Sequence, residues 1–345
     1  MKYSVEYWND IDLVVKQVPN IDKLNRKTVL LTGATGMICS AVADILLWLK
    51  AQRDFELKLV FAGRSRSRMI ERFAGFEEGK DFRFVTFDTT RPTQLDESPD
   101  FIIHGASNAN PTMYRTQPVE TLMGNLLGTD TLLQLAKRTS GSRLLFVSSS
   151  EVYGQNKGNL PYKESDYGFV DILSPRSAYP SGKRAVETLC ASYASEHQVD
   201  SVIVRPGHIY GPTITKSDSR ASAEFTRDVL NHQDIIMKSD GTQLRSYCYV
   251  LDCASAILSV LLNGKSGEAY NISNSESVVT VRQMAEALAE AGNVQIQFKN
   301  PTDAEKQGFN TMSKSSLDAT RLENLGWQAC FSLRTGSQHT IAQMK

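Results

Sequence analysis

No apolar run in this chain is long enough to span a bilayer. The longest, Ala41 to Leu49, is short and carries Asp44. The first stretch, Met1 to Asn25, is charged and amphipathic and lacks an apolar core segment, so it does not read as a signal peptide. Ile11, Leu13, Val14, Val15 and Val18 are expected on one apolar face of an N-terminal helical extension, residues 1–25. An excess of either charge is also missing, with 38 basic and 38 acidic residues among 345. That balance argues against nucleic acid or a membrane surface as partner. The five cysteines show no C-x-x-C spacing and the five histidines no His-x-x-x-His pair, so neither a disulfide framework nor a metal site is expected. A cytoplasmic protein is the expectation. Internal repeats and low-complexity linkers are absent.

What is present is a rhythm of short apolar runs separated by helical stretches. Lys27–Thr32, Leu57–Ala62, Phe82–Phe87, Asp100–His104, Leu144–Val147 and Ser201–Val204 read as strands. Strands spaced this way predict an α/β fold with a doubly wound parallel Rossmann sheet over residues 26–205. After Arg205-Pro206-Gly207 the rhythm changes. Residues 206–345 read as a smaller α/β substrate-binding region, interleaved with the first.

The first strand runs into Gly33-Ala34-Thr35-Gly36-Met37-Ile38 and then a helix. Strand, glycine turn and helix is the context of a dinucleotide fingerprint. Gly33 allows the turn, and Gly36 lets a pyrophosphate approach the helix N-terminus. Thr35, Met37 and Ile38 line the same turn. Cys39 stands where a third glycine is usual. The second strand ends in Gly63-Arg64-Ser65-Arg66-Ser67-Arg68, with no acid to hold a ribose diol. Arg64 there suits the 2′-phosphate of NADP, so NAD or NADP is the expected cofactor. Asp88 is an adenine-side candidate. Ala106 and Ser107, after the fourth strand, are small enough to let a cofactor pass. Asn125 lies near the start of the next long helix.

Leu144–Val147 ends in Ser148-Ser149-Ser150-Glu151, and Tyr179 and Lys183 follow at a spacing of four. On a helix those two share a face. A hydroxyl opposite a Tyr/Lys pair forms a proton-transfer device. The ammonium is expected to pull the Tyr179 phenol down from about 10.

Thr32-Gly33-x-x-Gly36, the serine strand end and Tyr179-x-x-x-Lys183 together resemble an extended short-chain dehydrogenase/reductase, from about Lys27 to Gly292. Within it, His104-Gly105-Ala106-Ser107 with Pro111 and Tyr114, Ser148–Gly154, Pro175-Arg176-x-x-Tyr179 and Gly241-x-Gln243-x-Arg245-Ser246-Tyr247 resemble UDP-glucuronate decarboxylases. Their neighbours are nucleotide-sugar 4,6-dehydratases and 4-epimerases. The resemblance implies a nucleotide-sugar substrate oxidised at C4, with Tyr179 as base, Lys183 beside it and Ser149 on the 4-OH. Ser150 and Glu151 are implied as further catalytic groups, and Tyr114, His208 and Arg245 as substrate contacts. The same family builds a homodimer through the helices at Pro118–Arg138 and Arg184–Glu196, with Leu132, Leu133, Leu189 and Tyr193 expected outward. Four residues depart from the pattern: Cys39, Arg64, His208 in place of an Asn, and Pro180 directly after Tyr179. Two other readings stay open, a non-catalytic dinucleotide sensor and a simple NADPH-dependent ketoreductase.

Overall fold

The computed structural model describes residues 3–155, 158, 161–300 and 314–345. Residues 1–2 of the expected N-terminal extension and 301–313 of the C-terminal region lie outside the described residues. Five strands come first: β1 (Thr28–Thr32), β2 (Lys58–Gly63), β3 (Arg83–Thr86), β4 (Phe101–His104) and β5 (Arg143–Val147). They are followed by β6 (Asp200–Pro206), β7 (His208–Tyr210), β8 (Ile235–Met237), β9 (Leu244–Tyr249), β10 (Ala269–Ile272) and β11 (Val278–Thr280). The helices are α1 (Val5–Val15), α2 (Met37–Gln52), α3 (Arg66–Arg72), α4 (Pro111–Thr116), α5 (Pro118–Arg138), α6 (Ala178–His197), α7 (Ala221–Leu230), α8 (Val250–Asn263) and α9 (Val281–Gly292).

Seven strands form one sheet in the order β10-β6-β5-β4-β1-β2-β3, every pair parallel. Continuous apolar runs such as Val29-Leu30-Leu31 and Leu144-Leu145-Phe146 fit strands covered on both faces. Helices α2 and α8 pack together on one face, and α5 and α6 on the other. The order reverses between β4 and β1. At that switch the strand ends diverge and leave a crevice, where α/β sheets bind ligands.

The edge strand β10 comes from the later half of the chain. The expected boundary at residue 206 therefore separates stretches of sequence, while the sheet recruits from both. The later half also builds a small mixed sheet in which β9 pairs with β7, with β11 and with Lys314–Ser315. Strand β9 places Arg245 and Tyr247 over the crevice. Among the described residues no helix is long and apolar enough to cross a membrane.

Helix α1 docks through Tyr7, Ile11, Val14 and Val15, while Leu13 faces outward, contrary to the expected stripe. Its anchor is polar. The fully buried Asp44 of α2 accepts from Tyr3 Oη at 2.9 Å, Tyr7 Oη at 2.8 Å and Arg72 Nη2 at 2.5 Å. One carboxylate thus joins α1, α2 and α3. Removing one partner of a buried pair strands the other charge, so Asp44→Ala is expected to cost roughly 3–5 kcal/mol. Urea unfolding checks this; a loss below about 1 kcal/mol, the scale of a surface pair, would contradict it.

Candidate active site

Helix α2 begins immediately after the glycine turn. Gly33 has φ +74°, and a Cβ there would come within 2.8 Å of the Gly105–Ala106 backbone. The turn after β1 and the loop after β4 therefore touch, and only glycine permits the contact. Gly36 is the N-cap of α2 and brings no side chain to it. The N–H groups of Met37 and Ile38 precede the first intrahelical acceptors and face the crevice mouth. This cradle fits a dinucleotide pyrophosphate. The Cys39 thiol fills the space a Cβ at Gly105 would need, so the missing third glycine is offset by a glycine on the opposite strand end. Burial raises that thiol to about 12, which keeps it protonated.

The strand ends are fastened beside the cradle. Thr32 Oγ1 meets His104 Nδ1 at 2.7 Å and accepts from Ala106 N at 3.2 Å. Ser107 Oγ donates to Asn125 Oδ1 at 3.0 Å. Asp88 accepts from the N–H and hydroxyl of Thr90, and the N–H bond is the main reason its carboxyl lies below the usual range.

Past β5 the chain makes a short 3₁₀ turn, Ser150–Tyr153. It stands on a buried network that the sequence did not reveal. Ser148 Oγ donates to Glu187 at 2.6 Å, Arg205 forks onto Glu187 at 3.0 and 2.6 Å, and Tyr153 Oη donates to Asn271 at 2.5 Å and accepts from Arg205 at 3.0 Å. These bonds link β5, α6, β6 and β10 and hold the serine turn at the crevice. The interior bonds leave Ser149 and Glu151 facing the cleft.

The cleft holds about 640 Å³ and is lined by Ile38, Tyr114, Ser149, Ser150, Glu151, Tyr179, His208 and Arg245, among others. Eight residues expected from sequence thus meet in one cavity. Arg176 and Arg220 line it too and were not anticipated there. Tyr179 is buried beside Ser149, whose hydroxyl acts to lower its pKa, and is stacked on Tyr114, with centroids 5.0 Å apart. Arg176 forks onto Glu151 with both contacts at 3.3 Å. Arg220 is held by Asp218, and its Nη2 lies 2.9 Å from Met37 Sδ, so it sits between the glycine turn and Tyr179. The only sequence trace of it is an acid two residues earlier in a stretch that reads as a long loop. Pro180 is the third residue of α6. There its missing N–H removes no intrahelical bond.

Lys183 lies beneath Tyr179, its Nζ 5.8 Å from that ring's centre and donating to Val147 O at 2.8 Å. The expected lowering of the Tyr179 phenol does not occur. Burial pushes it up to about 12, against a smaller downward pull from Ser149. Burial also drives the Lys183 ammonium from 10.5 down to about 7. Desolvation outweighs mutual stabilisation because both groups are out of water and the ammonium is directed at a carbonyl. His208 is likewise lowered to about 3, chiefly by burial and further by Arg245 and Arg220. It is therefore a neutral ring, and its buried Nδ1 has no hydrogen-bond partner among the described residues.

Lys183 supplies a stability test with a defined sign. Its folded pKa lies below its unfolded one, so the folded chain binds fewer protons between pH about 7 and 10.5. Wild-type stability gains from this group as pH rises through that window. Lys183→Met is expected to raise Tm most at or below pH about 7, with a gain that shrinks on going alkaline, while turnover falls by about 100-fold or more. Calorimetry across pH checks it; a Tm gain that grows with pH would sink the assignment.

A parallel sheet with a glycine cradle at its switch point, and a Ser/Tyr/Lys set one strand away, defines a nicotinamide-dinucleotide enzyme of the extended short-chain dehydrogenase/reductase class. Residues 29–273 match the NAD dependent epimerase/dehydratase family, and the chain belongs to it. Among its relatives are UDP-glucuronic acid decarboxylase 3 of Arabidopsis thaliana, 32% identical over 311 residues (89% of this chain, 86% of the relative). UDP-glucuronic acid decarboxylase 1 of Xenopus tropicalis is 30% identical over 326 residues (93% and 73%). In structure, the chain is similar to the UDP-glucose 4-epimerase of Thermotoga maritima, with TM-score 0.76 and 22% identity over 92% of this chain and 98% of that one. The UDP-glucuronic acid 4-epimerase of Bacillus cereus gives TM-score 0.75, 22% identity and the same coverage.

Proposed function

We propose that the chain decarboxylates a nucleotide-linked uronic acid, UDP-glucuronate first among them, through a 4-keto intermediate. The observation that carries this reading is Glu151, a carboxylate in the cleft next to Ser149 and Tyr179, facing a wall that includes Arg220 and Arg245. The relatives named as UDP-glucuronic acid decarboxylases support it. A guanidinium suits phosphate and carboxylate alike. Arg245 is assigned to the substrate phosphates and Arg220, nearer Tyr179, to the C6 carboxylate. Tyr114 stacks on Tyr179 and steadies that ring beside the sugar, and neutral His208 offers a ring N–H or lone pair to a hydroxyl.

A nicotinamide dinucleotide held by the turn at Gly33 and Gly36 and the start of α2 would supply the hydride acceptor for C4. Tyr179 takes the O4 proton, with Ser149 hydrogen-bonding the same oxygen and Lys183 setting the field beneath. The C4 ketone is β to the carboxylate, so the C5–C6 bond breaks as CO2 leaves, and its electron pair passes into the C4 enolate. Ser150 and Glu151 line the C5 side, and Glu151 handles the proton delivered to C5. Tyr179 then returns its proton to O4. The net change is loss of CO2 and uptake of one proton, with no cofactor consumed.

Incubation with UDP-glucuronate, followed by NMR, is expected to show a nucleotide pentose, released CO2 and unchanged total nicotinamide. A 4-epimeric uronic acid without CO2 would assign epimerisation instead. Failure to turn over any nucleotide sugar overturns the reading, and a stoichiometric demand for reduced cofactor would favour a ketoreductase.

We further propose a homodimer built on α5 and α6. Val119 and Met123 expose apolar surface on α5, and Leu189 and Tyr193 are partly buried on α6. Leu132 and Leu133 face the core instead of solvent, because they lie on the sheet side of α5. Light scattering decides the state. A cytoplasmic location, where five free thiols stay reduced, completes the proposal.

A further inference from the structure

The dinucleotide crevice has two ends. Ser149 and Tyr179 stand beyond β5, on one side of the glycine turn. The nicotinamide must reach them, so the adenosine extends the opposite way, over the ends of β2 and β3. Thr32 pairs with Ala62, which sets the end of β2 directly beside the glycine turn. Two residues past Ala62 is Arg64. From Ala62 to Arg68 there is no acid.

The neighbouring charges are differently committed. Arg66 bonds Glu78 at 2.8 Å, away from the crevice. Ser65 Oγ accepts from Arg68 N, which closes the loop on itself. Asp88, across from Arg64 at the end of β3, is engaged by Thr90, and the Arg64 charge adds to the lowering of its carboxyl. Arg64 itself meets Glu120 only at 3.8 Å, with its side chain 60% exposed. Its guanidinium is therefore held loosely over the adenosine end, within reach of a stronger anion.

A ribose diol seeks a carboxylate that accepts from both hydroxyls, and the strand end lacks one. A phosphate dianion at the 2′ position seeks a planar fork of donors, which Arg64 carries. We propose that Arg64 reads the adenosine 2′-phosphate and that this chain selects NADP over NAD. The proposal needs only a nicotinamide dinucleotide in the crevice. It stands or falls separately from the decarboxylase reading, because binding alone is measured.

The test is isothermal titration of the full chain, stripped of bound nucleotide, with NADP⁺, NAD⁺, 2′,5′-ADP and 5′-AMP. NADP⁺ is expected to bind about tenfold or more tightly than NAD⁺, the scale of one charge-assisted contact. 2′,5′-ADP should exceed 5′-AMP by a similar factor, and added salt should erode both preferences. Arg64→Gln is expected to remove the preference by weakening NADP⁺ while leaving NAD⁺ unchanged, with circular dichroism confirming an intact fold. Wild-type binding of NAD⁺ as tight as NADP⁺ overturns the proposal. So does an Arg64→Gln protein that keeps its NADP⁺ preference, since the phosphate contact would then lie elsewhere.

Discussion

Tyr179→Phe is expected to lower turnover by about 1000-fold while leaving the fold and substrate affinity nearly unchanged. Phenylalanine retains the ring that stacks on Tyr114 at 5.0 Å and loses only the hydroxyl that faces Ser149. The effect therefore isolates proton transfer. It also carries a pH signature. Burial raises the Tyr179 phenol to about 12, so the ionised fraction grows as pH rises through the neutral range. Wild-type kcat is expected to climb with pH on that account, and the residual activity of the variant is expected to lose the climb. Steady-state kinetics from mildly acid to alkaline pH checks both points. A variant within tenfold of wild type, or one that keeps the alkaline rise, would remove Tyr179 from the reaction.

The second large effect is expected at Glu151. Glu151→Gln preserves shape and removes the charge proposed to move a proton at C5, so CO2 release is expected to fall by about 100-fold or more. In the proposed mechanism oxidation at C4 uses Tyr179, Ser149 and Lys183, so reduced nicotinamide should still appear when substrate is added. The pattern to look for is a cofactor absorbance change without matching CO2. Stability should move little, because the Arg176 side chain left behind is 45% exposed and can be hydrated. Full decarboxylation by the variant would withdraw the role from Glu151. Loss of the absorbance change as well would mean that Glu151 acts earlier, on C4.

Much of this site is legible before folding because its pieces are local. A glycine turn between strand and helix encodes itself in six residues, Gly33 to Ile38. Tyr179 and Lys183 share a face because helical periodicity requires it. The serine turn follows an apolar strand directly. Other pieces are not local. Arg220 reaches the cleft from a stretch without periodicity, fixed by Asp218 and by its contact with Met37, 183 residues earlier. Glu187 and Arg205 lie on separate elements and meet only when α6 packs on the sheet. The outward placement expected of Leu132 and Leu133 failed for a related reason. A helix sandwiched between a sheet and a second helix carries apolar residues on more than one side, and composition does not say which side meets solvent.

By itself, the sequence determined the class: a parallel α/β sheet, a dinucleotide turn at Gly33 and Gly36, and a Ser149/Tyr179/Lys183 set. It also determined the absence of an acid at the end of β2. Periodicity and short spacings carry such information, since the backbone geometry of strands and helices is the same in every context. Only the tertiary structure decided the energetics. It made β10 an edge of the first sheet, placed Arg220 beside Tyr179 and paired Arg176 with Glu151. It also reversed the expected Tyr179/Lys183 electrostatics. The phenol and the ammonium are both buried, and removal from water is a property of packing that no spacing of residues records.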